Sequence, residues 1–515
     1  MRWHLLFGVV LAGCSAGPDY TRPDLPFAAD RYTPEVDVPR TSAAQSEGGV
    51  SQSFTWNAEV PGRWWTLYRC AELDRLVDEA ISANSDLKAA LAALSQARES
   101  LEAQRAALFP TIGGSASAQQ QRANGAQSGQ TGSAATTPSY YGVTSASLSI
   151  SYSIDLFGGT RRQVESQVAQ VDYKKFQAEA TYLSLSTNVV VAAVNLASLR
   201  DQIAATQRLV ALERNLLDLV SSQREAGKAS QVDLLTQETQ LAQTEALLPP
   251  LQKQFEQQRN QLLSLLNLPP SDEVATSLRL SSLTLPADLP LSFPSRLLEQ
   301  RPDIRSAEAQ LRSANAEIGV AAAAQFPQLT ISALWGMASG GLATAFVAGS
   351  GIWSLATSSS QTLLDGGKLE RQKRSAVAAQ QKAEAQYKST IVSAFHDVAN
   401  ALRALQSDAD DLKANARAEA VARASLSPVE EQYKAGAVSL LNLINAQQSY
   451  QNAVLKRIRA EAARLSDTAA LFQALGGGWW NRPDLDPNKK EGPEVLNLPP
   501  IQDLKLLPKA QPARN

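Results

Sequence analysis

The residues that usually carry chemistry are scarce in this chain. Its 515 residues include two histidines, His4 and His396, and two cysteines, Cys14 and Cys70. Two cysteines cannot build a disulfide framework. So few imidazoles and thiols leave little material for a metal centre or a nucleophilic mechanism, and no Gly-rich phosphate loop is present. His396 adjoins Asp397, but a shared helix face explains both. Aromatic residues make up only 6%, which suits long helices in small-residue contact better than a compact aromatic core. Charge is balanced, 48 basic against 50 acidic residues, so nothing draws the chain to nucleic acid. No run approaches ~18 consecutive apolar residues, and no transmembrane helix is expected. An enzyme is the weakest reading.

What is present begins at the N-terminus. Arg2, an apolar run and Leu11-Ala12-Gly13-Cys14 have the order of a cleavable secretion signal. The tetrapeptide resembles the bacterial lipobox. That resemblance implies removal of residues 1–13, then N-palmitoyl and S-diacylglycerol chains on Cys14 as a covalent lipid anchor, with no other cofactor. Several acyl chains hold a protein at a membrane durably. Ser15 follows the cysteine instead of Asp, which by analogy favours outer-membrane sorting. Scattered prolines over 14–60 indicate an extended tether. Cys70 precedes a helix start and has the place of a cap or a passive buried thiol.

Further on, the hydrophobic period changes twice. Leu73, Leu76, Val77 and Ala80 follow helical spacing, and Asn84 offers the next N-cap. In 142–157, Leu148, Ile150, Tyr152, Ile154 and Leu156 alternate with serines and Asp155. Such a strand suits a wall between lipid and water. A second strand is expected near 111–120, across a Gly/Ser-rich loop. Residues 160–226 contain neither Pro nor Gly and would form a helix about 100 Å long. Leu209, Leu212, Leu216 and Leu219 offer it a coiled-coil seam. Gly227 ends this run and Ser230 restarts helix. Pro249 and Pro250 are expected to interrupt that returning helix. Arg161 and Arg162, and the Lys368, Arg371, Lys373 and Arg374 group, follow strands, near headgroups or on solvated helix faces.

The whole pattern then recurs. NSDLKAALAAL (84–94) matches RPDIRSAEAQL (301–311), and Phe109-Pro110 matches Phe326-Pro327. Gly158-Gly159 matches Gly366-Gly367, as though nine residues had been lost between the later strands. Gly227 matches Gly436, which Ser439 follows. The chain accordingly divides into a tether (14–60), a first repeat (61–285) and a second repeat (286–475), then a tail (476–515). The first repeat holds strands 111–120 and 142–157, helix 159–226 and tip 227–230. The second holds strands 328–337 and 351–364, helix 368–435 and tip 436–439. Four strands cannot close a membrane barrel, and open edges are not tolerated in lipid. Several copies must therefore combine.

NSDLKAALAALSQARESLEAQRAALFP, RPDIRSAEAQLRSANAEIGVAAAAQFPQLTISA, WWTLY (64–68), GPDYTRPDLP (17–26), LLDGGK (363–368) and ALGGGW (474–479) resemble the TolC-like outer membrane factors, in particular the NodT/OprM-type lipoproteins. The likeness spans roughly 17–480. It implies a mainly α fold with a membrane β-barrel, a homotrimer whose twelve-stranded barrel continues as a long periplasmic α-helical barrel. It also implies an outer-membrane exit duct for drugs or other small molecules, fed by an inner-membrane efflux transporter, RND type, through a periplasmic membrane-fusion adaptor. The tips at Gly227, Ser230, Gly436 and Ser439 would receive the adaptor. Asp233, Tyr433, Asn442 and Asn445 would form the periplasmic gate. Relatives place acidic rings where Asn442 and Asn445 stand, so those rings are absent or displaced here. The rival readings are a periplasmic adaptor and a structural coiled-coil envelope lipoprotein.

Overall fold

The computed structural model describes residues 15–24, 32, 40–124, 138–272, 277–344 and 347–482; Cys14, the expected leader and 483–515 lie outside them. The first half runs β1 (Ser53–Trp56), α1 (Ala71–Ala83), α2 (Ser85–Ala106), β2 (Thr111–Asn124), β3 (Pro138–Ile154), α3 (Gly159–Glu225), α4 (Gln231–Glu245) and α5 (Leu248–Leu265). The second runs β4 (Asp288–Leu291), α6 (Pro294–Gln300), α7 (Pro302–Ala323), β5 (Gln328–Ser339), β6 (Gly351–Ser360), α8 (Lys368–Lys434) and α9 (Leu440–Ala474).

Helices α3 and α8 each hold 67 residues, about 100 Å of rod. Pro249 and Pro250 do break the return helix. They fall in the first turn of α5, where backbone N–H groups have no helical partner in any case. Pro428, by contrast, sits inside α8, which continues past it. The middle of α3 is apolar enough to cross a membrane by composition, yet most of that stretch is buried within the protein. Val189, Val190, Ala193, Val194 and Ala197 there are all but inaccessible, packed among α1, α2, α5, α7 and α9.

The WWTLY segment anchors this core. Trp64 stacks on Phe472 of α9 at 5.3 Å, and the Tyr68 hydroxyl donates to the Leu465 carbonyl at 2.8 Å. The N-terminal segment is stitched on beside it by β1, which pairs in parallel with β4. Buried Arg464 donates to the carbonyls of Gly48 and Val50, to Thr41 Oγ1 and to Gln52 Oε1. Past α9 the chain stays on the body: Trp479 Nε1 donates to the Gln300 carbonyl at 2.7 Å. Cys70 occupies the N-cap of α1 but its thiol makes no capping bond.

On α3, two sequence expectations need correction. The buried stripe on α3 near its lower end is Leu209, Glu213, Leu216 and Val220, whereas Leu212 and Leu219 are 51% and 37% exposed. Both stripes obey 3-4 spacing, and the carboxylate at 213 disguised the true one. Arg162 is buried instead of facing headgroups or water. It donates to the Ala16 carbonyl, to Asp19 at 2.7 Å and to Glu165 at 2.7 Å, so it fastens the N-terminal segment.

The second sheet has the antiparallel order β2-β3-β5-β6. Thr111 pairs with Ser151 in the first hairpin, and Gln328 with Ser360 in the second. Leading strands are thus displaced by 217 residues (111 to 328) and trailing strands by 209 (151 to 360). The Gly158 to Gly366 displacement is 208. The nine lost residues therefore do not all fall between the strands: eight do, and one falls in the turn to the helix. β3 ends at Ile154, short of 157, and Asp155 instead accepts from the Arg161 backbone N–H at 2.9 Å. β6 ends at Ser360, short of 364, on an edge with no neighbouring strand among the described residues.

Candidate functional site

Each end of the molecule carries a constructed feature. At the lower end, α3 and α8 stop at Gly227 (φ 71°) and Gly436 (φ 72°). In both, the N–H groups just past the helix fold back to its last carbonyls. Lys228 donates to Gln223 at 2.7 Å and Ala437 to Gln432 at 2.8 Å. This closure needs a left-handed residue, which glycine supplies without strain. The restart differs between tips. Ser230 accepts from the Asp233 N–H at 3.1 Å, and the Asp233 carboxylate accepts from the Ser230 N–H at 2.9 Å, a reciprocal capping box. The Ser230 hydroxyl also donates to that carboxylate at 2.7 Å, and this bond, with the one from the Ser230 backbone N–H, holds the Asp233 carboxyl below the usual range. Ser439 makes no side-chain cap, contrary to expectation. Its third residue is Asn442 rather than an acid, so the reciprocal arm is missing.

The tips support one another. Leu216 and Val220 of α3, Leu426 of α8 and Leu440, Leu443 and Ile444 of α9 form a small core of their own. Tyr433 donates from its hydroxyl to Gln223 Oε1 at 3.3 Å, bridging α8 and α3. Burial, reinforced by Asp233, raises its pKa. Asn442 and Asn445 are not buried. Above the tips lies a polar layer that sequence reasoning missed. Buried Glu213 accepts from Gln240 and Thr244, each at 3.1 Å, and Gln448 of α9 donates to Gln240 at 2.9 Å. Burial raises the Glu213 pKa, against the pull of those two donors. A glutamate flanked by leucines at heptad spacing was its only signal.

At the upper end, pairing sorts the strands into two faces. One carries Ser115, Ser117, Ser145, Ser147, Ser332 and Ser354; Ser115 bonds Ser147 at 3.0 Å and Ser117 bonds Ser145 at 2.9 Å. The other carries Ile112, Leu148, Ile150, Trp335, Trp353 and Leu355, all exposed. A sheet wet on one side and apolar on the other is a wall between water and lipid.

A family model described as outer membrane efflux protein matches residues 76–268 and 293–477. The chain belongs to this family. It is 30% identical over 483 residues to the outer membrane protein OprJ of Pseudomonas aeruginosa, covering 92% of this chain and 95% of that protein. Among solved structures, the outer-membrane channel OprN superposes with a TM-score of 0.80 at 26% identity, over 90% of this chain and 100% of that one. The open-state MtrE channel of Neisseria gonorrhoeae gives 0.77 at 27%, over 90% and 99%.

This efflux protein is thus a TolC-like, NodT/OprM-type outer membrane factor, an exit duct and not an adaptor. Its sheet lies in the outer membrane and its helices extend into the periplasm. The family consists of channel proteins. Among the described residues, no group of three His, Cys, Asp or Glu could hold a metal ion. His396 of the efflux protein is exposed, and Asp397 pairs with Arg301 at 2.9 Å instead of with the histidine.

Proposed function

We propose that three copies form the working duct, their sheets joining into a twelve-stranded barrel and their α3, α4, α5, α8 and α9 helices into the periplasmic tube. The observation carrying this reading is the four-stranded sheet with one serine face, one apolar face and two unpaired edges, β2 and β6. A lone copy would leave both edges bare in lipid, where each unsatisfied backbone group costs several kcal/mol. The duct passes drugs or other small molecules that an RND-type inner-membrane transporter delivers through a periplasmic adaptor. Lipidation at Cys14 agrees with the neighbouring residues: the Ala16 N–H donates to the Phe157 carbonyl at 2.9 Å, at the foot of β3. An acyl anchor there would sit level with the membrane boundary.

In this reading the adaptor meets the tips at Gly227, Ser230, Gly436 and Ser439, which protrude with Ala435, Ala437 and Lys228 exposed. A Cβ added at either glycine meets nothing within 4 Å, although the positive φ there strains any side chain, so Gly436→Trp starts without a clash at Cβ and places a bulky group on the exposed tip. It should abolish efflux and leave trimers in the membrane; undiminished efflux would reject tip docking. Asp233, Tyr433, Asn442 and Asn445 form the gate. Neutral amides do not attract cations at long range, so single-channel recordings should show weak cation preference. A strong preference unaffected by changing Asn442, Asn445 or Asp233 would count against this gate. Trimers that persist on unboiled gels, with outer-membrane fractionation, test the assembly itself.

A further inference from the structure

The duplication becomes a ruler once the strand pairs are known. Inside one chain the two hairpins are joined by β3 against β5, from Thr144–Ser339 to Ile154–Leu329. A ring of equivalent hairpins needs the same junction between β6 and β2 of the next copy. Counterparts lie 217 residues apart on leading strands and 209 on trailing strands. Applying these displacements, Ile154–Leu329 becomes Leu363–Ile112, Leu148–Trp335 becomes Thr357–Ala118, and Thr144–Ser339 becomes Trp353–Arg122.

We propose that β6 pairs with β2 of the neighbouring copy in this register, with Leu363 opposite Ile112 at the membrane foot and Trp353 opposite Arg122 near the outer rim. The proposal rests on the oligomeric duct described above and specifies how its seams are aligned.

Three observations agree on it. First, the register sets odd residues of β6 beside even residues of β2, which matches apolar face to apolar face. A slip of one residue would put serines against lipid. Second, Leu363 and Ile112 are 90% and 72% exposed in the single chain, and this alignment gives each an apolar partner. β6 would then lengthen from Ser360 to Leu363, matching β3, which reaches Ile154. Third, Arg122 lies over the Tyr140 ring at 5.7 Å while Trp353 is 78% exposed. The register brings that indole to the other side of the guanidinium, an arrangement favourable to cation–π contact. A slip of two residues keeps the faces but sets Gln120 or Asn124 opposite Trp353, and parts Leu363 from Ile112.

Cysteine pairs in full-length lipoprotein, with Cys70→Ser to remove the buried thiol, test this in outer-membrane vesicles. Ser359→Cys is combined in turn with Ala116→Cys, Gly114→Cys and Ala118→Cys, and mild oxidation is followed by a denaturing, non-reducing gel. Covalent trimer should dominate only with Ala116→Cys. Dominant cross-linking through either other partner overturns the register. Trimers that survive on an unheated gel without any covalent species also overturn it, while leaving the duct intact. Monomers throughout, in vesicles and without oxidation, overturn register and duct together.

Discussion

Arg464 shows how single side chains hold the periplasmic body together. Among the described residues it hydrogen-bonds no carboxylate and instead directs its donors to neutral oxygens of residues 41–52. Truncation strands several buried acceptors at once. Arg464→Ala should cost about 3 kcal/mol and expose the 40–56 segment to limited proteolysis. Trp64→Ala removes the ring stacked on Phe472 and should cost about 3–5 kcal/mol, read as a lower melting temperature. Glu461 responds to pH. Burial pushes its pKa to about 7, with Glu47 and Asp201 adding to the rise against Arg457. The folded protein therefore binds more protons than the unfolded chain between about 4.5 and about 7. Its stabilising effect is full below that window and is lost as pH rises through it. At ~1.36 kcal/mol per unit this is about 3 kcal/mol. Glu461→Gln should flatten the difference between melting curves at pH 5 and pH 8. Trp64 stands in the WWTLY motif, but Arg464 and Glu461 do not stand out in the sequence: the partners of Arg464 lie more than 400 positions away, and the nearby Arg457 beside Glu461 does not by itself reveal burial.

At the scale of elements, the sequence was informative wherever local chemistry decides the outcome. Gly227 and Gly436 end their helices because nothing else takes positive φ so readily, and the serine alternation of 145–153 has one pleated solution. It was uninformative where two periodic patterns overlap, as on α3, where Leu212 and Leu219 mimic a seam that Glu213 and Val220 occupy. It also could not separate loop from turn in the nine-residue loss, because only strand pairing distinguishes them. The tips share one motif but not one cap, and this has a measurable consequence. Ser230→Ala should cost about 1 kcal/mol and speed hydrogen exchange in the first turn of α4. Ser439→Ala should change the first turn of α9 far less, since that hydroxyl makes no capping bond.

For the whole molecule, duplication and the count of strands already implied incompleteness, and the family match places that incomplete sheet in an outer-membrane channel. Detergent-extracted protein should conduct in planar bilayers only in the fractions that contain trimer. The two bare edges, β2 and β6, also have a genetic consequence. A ring whose every joint must be sound inherits the fault of its worst member. Expressed at equal dose beside the native gene, a copy unable to close its joint leaves roughly one ring in eight wholly native under random mixing. In the three-copy ring proposed above such an allele should be dominant, with export measured far below half although an intact gene is still being read.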